Sequence, residues 1–109
     1  KDAEYCMAQF DVYENQGEGK NLYPYFMDIQ NPLFERLNER VVIPLTELSN
    51  LKPVRHLHPL VSIENQQYVL MTHLLTSISV SQVRHAPVIN ADIHRADVVA
   101  AVDLLVTGI

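Results

Sequence analysis

Residues 40 to 45 of this 109-residue chain are Arg40-Val41-Val42-Ile43-Pro44-Leu45. The run holds consecutive β-branched residues and then a proline, which is typical of a buried strand. β-Branched side chains fit the pleated surface of a sheet, whereas proline cannot donate the amide hydrogen bond that a central strand needs. We therefore predict a buried strand, the third in chain order, that ends at Pro44.

Strand-like segments lie on both sides of this run. Residues 9–13 alternate between polar and apolar side chains, and residues 23–29 are rich in aromatic residues, so both predict strands. The polar, glycine-containing segment 14–21 between them predicts an exposed turn. Downstream, three further segments predict strands, and the first two of them form a hairpin candidate: residues 58–63, 67–71 and 75–83.

After Asp92 the apolar residues recur at helical spacing: Ile93, Ala96, Ala100 and Leu104. We predict that Asp92 caps this helix, because its carboxylate can accept hydrogen bonds from free first-turn amides, and that Gly108 ends it. Other apolar side chains surround the helix. Either one face lies on the sheet and another on a partner, or the whole helix is intramolecular core.

Antiparallel strands followed by one C-terminal helix predict an α+β, mostly β domain. The chain length fits one domain, and we assign it to residues 7–109. Residues 1–6 precede Met7, where the alternating pattern begins, and we interpret them as a non-native or alternative-start extension. A domain of this size buries a limited fraction of its surface, so dimerisation would be a natural source of stability.

Composition excludes several classes of function. The net charge of -5 disfavours a broad grip on nucleic acid, which depends on clustered cations. The single cysteine, Cys6, cannot form an internal disulfide or a thiolate zinc cluster, so a reducing compartment fits. No stretch is apolar for long enough to cross a bilayer, and no secretory signal is present. We therefore expect a cytoplasmic protein that does not contact the membrane.

Familiar enzyme motifs are absent: the sequence has no phosphate-binding glycine loop, serine nucleophile elbow, metalloprotease helix or calcium loop. His56 and His58 have strand spacing, which would put both rings on one face, but two histidines do not define a zinc site. We predict neither a metal site nor a cofactor. The pairs Arg84-His85 and His94-Arg95 offer a proton shuttle and a cation for RNA cleavage, so a ribonuclease is the alternative.

Four segments together resemble the CcdB family of toxins: Met7-Ala8-Gln9-Phe10-Asp11-Val12-Tyr13, Met27-Asp28-Ile29-Gln30, Arg40-Val41-Val42-Ile43-Pro44-Leu45 and Gly108-Ile109. The resemblance implies a five-stranded antiparallel sheet with a smaller sheet and one C-terminal helix, an SH3-like barrel related to the CcdB and MazF toxins. It further implies a homodimer that binds the DNA gyrase A subunit and traps the cleaved DNA complex. Such a protein is a topoisomerase poison, not an enzyme.

The resemblance also implies a cognate CcdA-like antitoxin that removes the toxin from gyrase. Contact with DNA would then occur only indirectly, when the toxin–antitoxin complex regulates its own operon. The antitoxin-contacting loop of the family matches seven residues here: Glu14, Asn15, Gln16, Gly17, Glu18, Gly19 and Lys20. This loop is acidic and glycine-rich where the best-known members are basic, which implies system-specific antitoxin pairing.

The gyrase-contacting surface of the family matches the C-terminal segment of this chain: Asp92, Arg95, Asp103, Leu105, Thr107, Gly108 and Ile109. Leu33 and Phe34 match the apolar pair beside this surface at the dimer centre. Thr107 departs from the best-known pattern, in which a tryptophan at this position stacks on an arginine of gyrase. Besides the MazF-like endoribonuclease, an inactive relative that only binds antitoxin and autoregulates its operon remains an alternative.

Overall fold

The computed structural model describes residues 7–108, so the predicted extension 1–6 and the terminal Ile109 lie outside the described residues. Residues 7–108 form seven strands and one helix, with short 3-10 turns in several of the connections. The strands are β1 (Asp11–Glu14), β2 (Tyr25–Asp28), β3 (Glu39–Glu47), β4 (Leu60–Ile63), β5 (Gln66–Leu70), β6 (Thr76–Ser79) and β7 (Ile89–Asn90). The helix α1 covers Arg95–Thr107. No helix within residues 7–108 is long and apolar enough to span a membrane.

Strand β3 holds the sheet together. The strand order is β4-β5-β3-β2-β1-β7, with β6 also paired to β3, and the described pairings are antiparallel. The sheet closes into a nearly complete barrel with one C-terminal helix, which confirms the predicted mostly β fold. The strand count differs slightly from the expected five-stranded sheet plus a smaller one, because β3 belongs to both parts and β7 adds a short edge.

The prediction that β3 ends at Pro44 is wrong, because the strand continues to Glu47. On one side β3 pairs with β6 up to Val42 and with β5 from Leu45 onward. The Pro44 carbonyl accepts a hydrogen bond from the Met71 amide (2.9 Å) on that same side. The proline nitrogen therefore faces the gap between β6 and β5, where no strand requires a donor.

Two hydrophobic clusters occupy opposite faces of the sheet. The larger one lies between the sheet and α1 and includes Val12, Met27, Ile43 and Val98. The smaller one contains Met7, Tyr13 and Val83, with Phe26 and Ile78 packed against it. The partners Val12 and Met27 share the first face, whereas Tyr13 and Phe26 share the second, as the period of two requires.

The predicted capping role of Asp92 is wrong. A 3-10 turn, Asp92–His94, precedes α1, and the residue at the helix N-cap is His94, which makes no side-chain cap hydrogen bond. The Asp92 carboxylate instead accepts from the Arg95 guanidinium. At the other end the prediction holds: Gly108 adopts a left-handed conformation (φ 74°), and its amide donates to the Leu104 carbonyl.

Helix α1 packs on the sheet through a side that the spacing of Ile93, Ala96, Ala100 and Leu104 did not indicate. Its fully buried residues are Val98 and Ala101, whereas Ala96 and Ala100 are exposed and Ile93 is 89% exposed. Apolar residues surround this helix almost evenly, so spacing alone could not identify the buried side. The remaining apolar surface of α1 faces outward within the described chain.

The 58–83 region departs from prediction in its details. The predicted hairpin forms as β4 and β5, and its turn residues Glu64 and Asn65 both have positive φ, as a type I′ hairpin turn requires. The last predicted strand is shorter than residues 75–83, because Ser79 caps a 3-10 turn and ends β6. His56 and His58 are in a turn before β4, so the expected strand spacing does not apply.

Candidate protein-binding surfaces

An apolar groove, which we call the helix groove, runs between α1 and the start of the sheet. Its volume is about 350 Å³. The apolar lining consists of Phe10, Ile29, Val98, Val99, Val102 and Val106. Val106 is 78% exposed and Val99 is more than half exposed. Exposed aliphatic side chains that line one continuous groove are typical of a surface that a partner covers.

Phe10 shapes the floor of the helix groove. It is fully buried although its backbone has φ 71°, a left-handed conformation that is uncommon for an aromatic residue. The Arg95 guanidinium carbon lies 4.8 Å from the centre of the Phe10 ring, and the same guanidinium donates to Asp92. Arg95 therefore links the predicted site residue Asp92 to the groove floor.

Of the predicted site residues near the end of α1 that the structure describes, one lines the helix groove and the others do not. Asp103 belongs to the groove lining, and its backbone carbonyl accepts from the Thr107 hydroxyl (2.8 Å). Leu105 is 40% exposed and does not line the groove. Gly108 ends the helix and, like Thr107, is exposed. The position of Ile109 lies beyond the described residues.

Leu33 and Phe34 lie on the 3-10 turn Pro32–Phe34, which we call the apolar turn. Leu33 is 81% exposed and Phe34 is 51% exposed. Asn31 caps the turn, because its side-chain oxygen accepts from the Leu33 amide (2.8 Å), and Pro32 supplies the preset φ of a first helical position. Two large apolar side chains are thus presented outward by a well-capped turn, although neither lines the helix groove.

A buried ion pair joins the end of β2 to the start of β3. The Arg40 guanidinium contacts the Asp28 carboxylate at 2.7 Å, and both side chains are almost completely buried. The Gln30 amide also donates to Asp28 (2.9 Å). Burial raises the pKa of Asp28 more than the Gln30 amide and the Arg40 charge lower it, so the net shift is upward. The charged pair exists at a desolvation cost that its hydrogen bonds offset only in part.

A second groove, which we call the loop groove, lies on the opposite face of the sheet. It has a volume of about 420 Å³, and its walls include Tyr13, Phe26 and Ile78. Tyr13 and Phe26 stack with ring centres 5.6 Å apart. The predicted antitoxin-contacting residues 14–17 form one rim, and Arg84 and His85 belong to the other lining residues. An apolar floor between an acidic loop and a basic pair can hold an amphipathic peptide.

The loop that follows β1 is locally ordered. Asn15 accepts from the Gly17 amide (2.9 Å) and donates to the Tyr23 carbonyl (2.9 Å), so its side chain ties both ends of the loop together. A 3-10 turn, Glu18–Asn21, completes the loop. Residues 14–20 are exposed or half exposed and remain accessible to a partner.

His58 pairs with His73, not with His56. The Val54 amide donates to His58 Nδ1 (2.9 Å), so the ring proton is on Nε2, which lies 3.0 Å from His73 Nδ1. Burial, together with the His73 charge, lowers the pKa of His58. His58 could bind a metal ion only through Nε2, because Nδ1 already accepts the hydrogen bond from Val54, and Nε2 carries a proton. No group of three or more potential metal ligands occurs among residues 7–108.

The residues of the ribonuclease alternative are not brought together in one cavity. Arg84 and His85 line the loop groove, and neither His94 nor Arg95 belongs to its lining. Arg95 instead packs over Phe10 beside the helix groove. Two features were not predicted from the sequence. Val99 and Val106 line the helix groove, but apolar residues surround α1 almost evenly and no pattern marks them. Gln30 belongs to the segment that resembles the family, but no role was predicted for its side chain.

The family comparison covers nearly all of the described residues. The model of a protein family described as CcdB protein matches residues 9–108, nearly the whole chain. The members of this family are toxins of toxin–antitoxin systems that poison gyrase and are not catalytic enzymes. Because the match covers both grooves, the apolar turn and α1, the chain belongs to the CcdB family.

Proposed function

We propose that this protein binds the DNA gyrase A subunit and traps the gyrase-cleaved DNA complex, acting by binding and not by catalysis. The observation that carries the proposal is the outward apolar surface of α1 and the apolar turn, where Leu33 and Val106 are each at least 78% exposed. Water-exposed aliphatic groups of this size stabilise a complex when a partner covers them.

The gyrase-contacting residues we propose are those of the C-terminal segment: Asp92, Arg95, Asp103, Leu105, Thr107, Gly108 and Ile109. Helix carbonyl groups at the end of α1 carry partial negative charge, and Asp103 adds a full one. An arginine of the partner would therefore be attracted to this end. Such pairing does not need the aromatic side chain that Thr107 replaces.

We further propose a homodimer with Leu33 and Phe34 at its centre. The apolar turn contains no buried residue, so its side chains contribute little to the core of a single chain. Covering them with the same surface of a second copy would remove apolar area from water on both sides of a twofold axis. The gyrase-contacting segments of two copies would then present one composite surface.

We propose that a cognate CcdA-like antitoxin contacts the loop 14–20 and the loop groove. Residues 14–17 of the loop form one rim of this groove, and Arg84 and His85 are among the other residues that line it. An antitoxin segment with apolar side chains and charges of both signs would complement these walls. With a net charge of -5, the toxin itself would reach DNA only through that complex. Gyrase is cytoplasmic, and we place the toxin there.

The test is a supercoiled-plasmid cleavage assay with gyrase and ATP. The protein should produce gyrase-dependent double-strand breaks, and deletion of Gly108 and Ile109 should abolish them while the circular-dichroism spectrum is unchanged. Leu105→Ser should raise the concentration needed by about tenfold. Leu60→Ser is the matched control, because Leu60 is equally exposed (41% against 40%) but lies on β4.

Several outcomes would overturn the proposal. An active truncated protein would remove the C-terminal segment from the mechanism. Cleavage of single-stranded RNA without gyrase, lost when His85, His94 or Arg95 becomes alanine, would favour the ribonuclease.

For the antitoxin surface, Glu18→Lys should weaken antitoxin binding but leave gyrase cleavage unchanged, with Glu39→Lys as an exposed control. Equal antitoxin binding by both variants would exclude the loop.

A further inference from the structure

Gln30 uses all of its polar groups in the interior. Its backbone amide donates to Asp28 Oδ1 (2.9 Å), and its backbone carbonyl is within 3.5 Å of the Arg40 guanidinium. Its side-chain oxygen accepts from the Val41 amide (3.0 Å), and its side-chain nitrogen donates to the Phe34 carbonyl (3.0 Å). The residue is 8% exposed. Hydrogen bonds from both atoms of the side-chain amide group hold this side chain in place.

The Gln30 side chain replaces a strand partner where the β2–β3 ladder stops. Pairing of these strands continues to Asp28, and the Ile29 amide still donates to the Val41 carbonyl (3.0 Å). The chain then leaves the sheet to form the apolar turn, so the Val41 amide would lose its partner. The Gln30 side chain supplies that partner and, through Phe34, connects the sheet to the turn.

The other hydrogen bonds of the apolar turn and of the residues just after it are local. The amides of Phe34, Glu35 and Leu37 donate to carbonyls three residues earlier, and Asn31 caps the first turn. These bonds shape the turn but do not fix its position relative to β3. Apolar packing adds little, because the turn contains no buried residue. The Gln30–Phe34 bond is therefore a specific link between the turn and the rigid sheet.

We propose that Gln30 is a positioning residue, which holds Leu33 and Phe34 in the orientation that their partner recognises. This inference rests on the proposed function of the apolar turn as a contact for the second copy and for gyrase. The Asp28–Arg40 pair fixes the Gln30 backbone from below. A turn that is ordered before binding loses less conformational entropy on association, so removing the link weakens binding without removing any contacting side chain.

The variant Gln30→Met tests the inference, because methionine has a similar length and shape but makes neither side-chain hydrogen bond. Thr46→Val is the matched control. Thr46 is also buried, and its hydroxyl donates to the Leu22 carbonyl (2.7 Å), far along β3 from the apolar turn. Urea midpoints identify how much stability each variant loses. Gln30→Glu adds an intermediate case, since it keeps an acceptor for Val41 but, when ionised, cannot donate to Phe34.

Hydrogen exchange is the first readout and needs no partner. In Gln30→Met, the amides of Phe34, Glu35 and Leu37 should exchange at least tenfold faster than in the Thr46→Val control. Gln30→Glu should loosen the same amides. Unchanged exchange at these three positions in Gln30→Met would overturn the inference whether or not the protein binds gyrase.

Affinity for a gyrase A fragment is the second readout. Gln30→Met should bind about tenfold more weakly than Thr46→Val, with Leu33→Ala as the positive control for the surface. If Leu33→Ala weakens binding but Gln30→Met does not, the positioning role is wrong while the proposed function stands. If the native protein itself does not bind the fragment, the proposed function fails. The hydrogen-exchange result then still tests whether Gln30 orders the turn.

Discussion

Replacing Arg40 by methionine would measure how the buried Asp28–Arg40 ion pair affects the free energy of unfolding. Methionine fills much of the same volume but leaves the Asp28 carboxylate, which is completely buried, without its 2.7 Å partner. It also removes the bond to the Gln30 carbonyl. This carboxylate is fully buried, and no other cation among residues 7–108 forms an ion pair with it. The folded state of the variant must therefore accept an unpaired buried charge or bind a proton.

The expected loss for Arg40→Met at pH 7 is about 3 to 5 kcal/mol in the free energy of unfolding. For a small domain this is a large fraction of the total. The double variant Asp28→Asn with Arg40→Met carries no charge at these two positions, and the asparagine side-chain oxygen can still accept from the Gln30 backbone amide. It should recover more than half of the loss, because the penalty arises from the unpaired charge and not from lost volume.

The loss should also depend on pH. The pKa of Asp28 is already raised above 3.8 by burial, and Arg40→Met removes two contributions that lower it, so it rises further. At pH values between 3.8 and the folded pKa, the folded variant keeps a proton that the unfolded chain has released. Its stability therefore falls as pH rises through this window, and the deficit is smallest in acid.

Urea denaturation of the three proteins at pH 7 and pH 4.5 measures both effects. Protein concentration must be constant, because dimerisation would couple stability to concentration. A deficit below about 1 kcal/mol at pH 7 would refute the assignment of an uncompensated charge. A deficit equal at both pH values would refute the proton linkage.

Three further predictions concern other parts of the fold. The pKa of His58 is lowered from 6.5, so the unfolded chain binds the proton first, and thermal stability should fall as pH drops below 6.5; His58→Gln should flatten that part of the curve. Gly108→Ala should cost about 1 to 2 kcal/mol in chemical denaturation, because its φ is positive although a Cβ would meet no atom. Asn90→Ala should increase hydrogen exchange at the β1–β7 edge, because it removes a 2.9 Å bond to Asp11; unchanged exchange would show that the backbone ladder suffices.

Most of the fold follows from local periodicity. β2, β4 and α1 lie within the segments that their patterns predicted, whereas β1 and β5 overlap their predicted segments but each include one residue more, Glu14 and Gln66. The errors occur where tertiary contacts decide. Pro44 is tolerated inside β3 because the neighbouring strand changes at that residue, which no local rule reveals. β7 has only two residues, too few for any period to be visible.

The candidate site was less predictable than the fold. The family resemblance predicted site residues at the end of α1 and in the apolar turn. Periodicity could not distinguish the buried Val98 from the exposed Val99, because the helix is apolar on nearly all sides. The caps illustrate the same limit. Gly108 was predictable because its role depends on its own backbone, whereas Asp92 lost its predicted role when a 3-10 turn moved the start of the helix to Arg95.

The buried polar groups of this small domain are distributed unevenly. The large cluster between the sheet and α1 is almost entirely apolar, yet Asp28, Gln30 and Arg40 are buried together and are hydrogen-bonded to one another. An apolar replacement of similar volume is often at least as stable as a buried ion pair, so stability alone does not explain this trio. Directional hydrogen bonds fix geometry in a way that apolar packing does not. Because the Gln30 side chain bonds to the Phe34 carbonyl, this network argues that the position of the apolar turn matters more here than the last increment of stability.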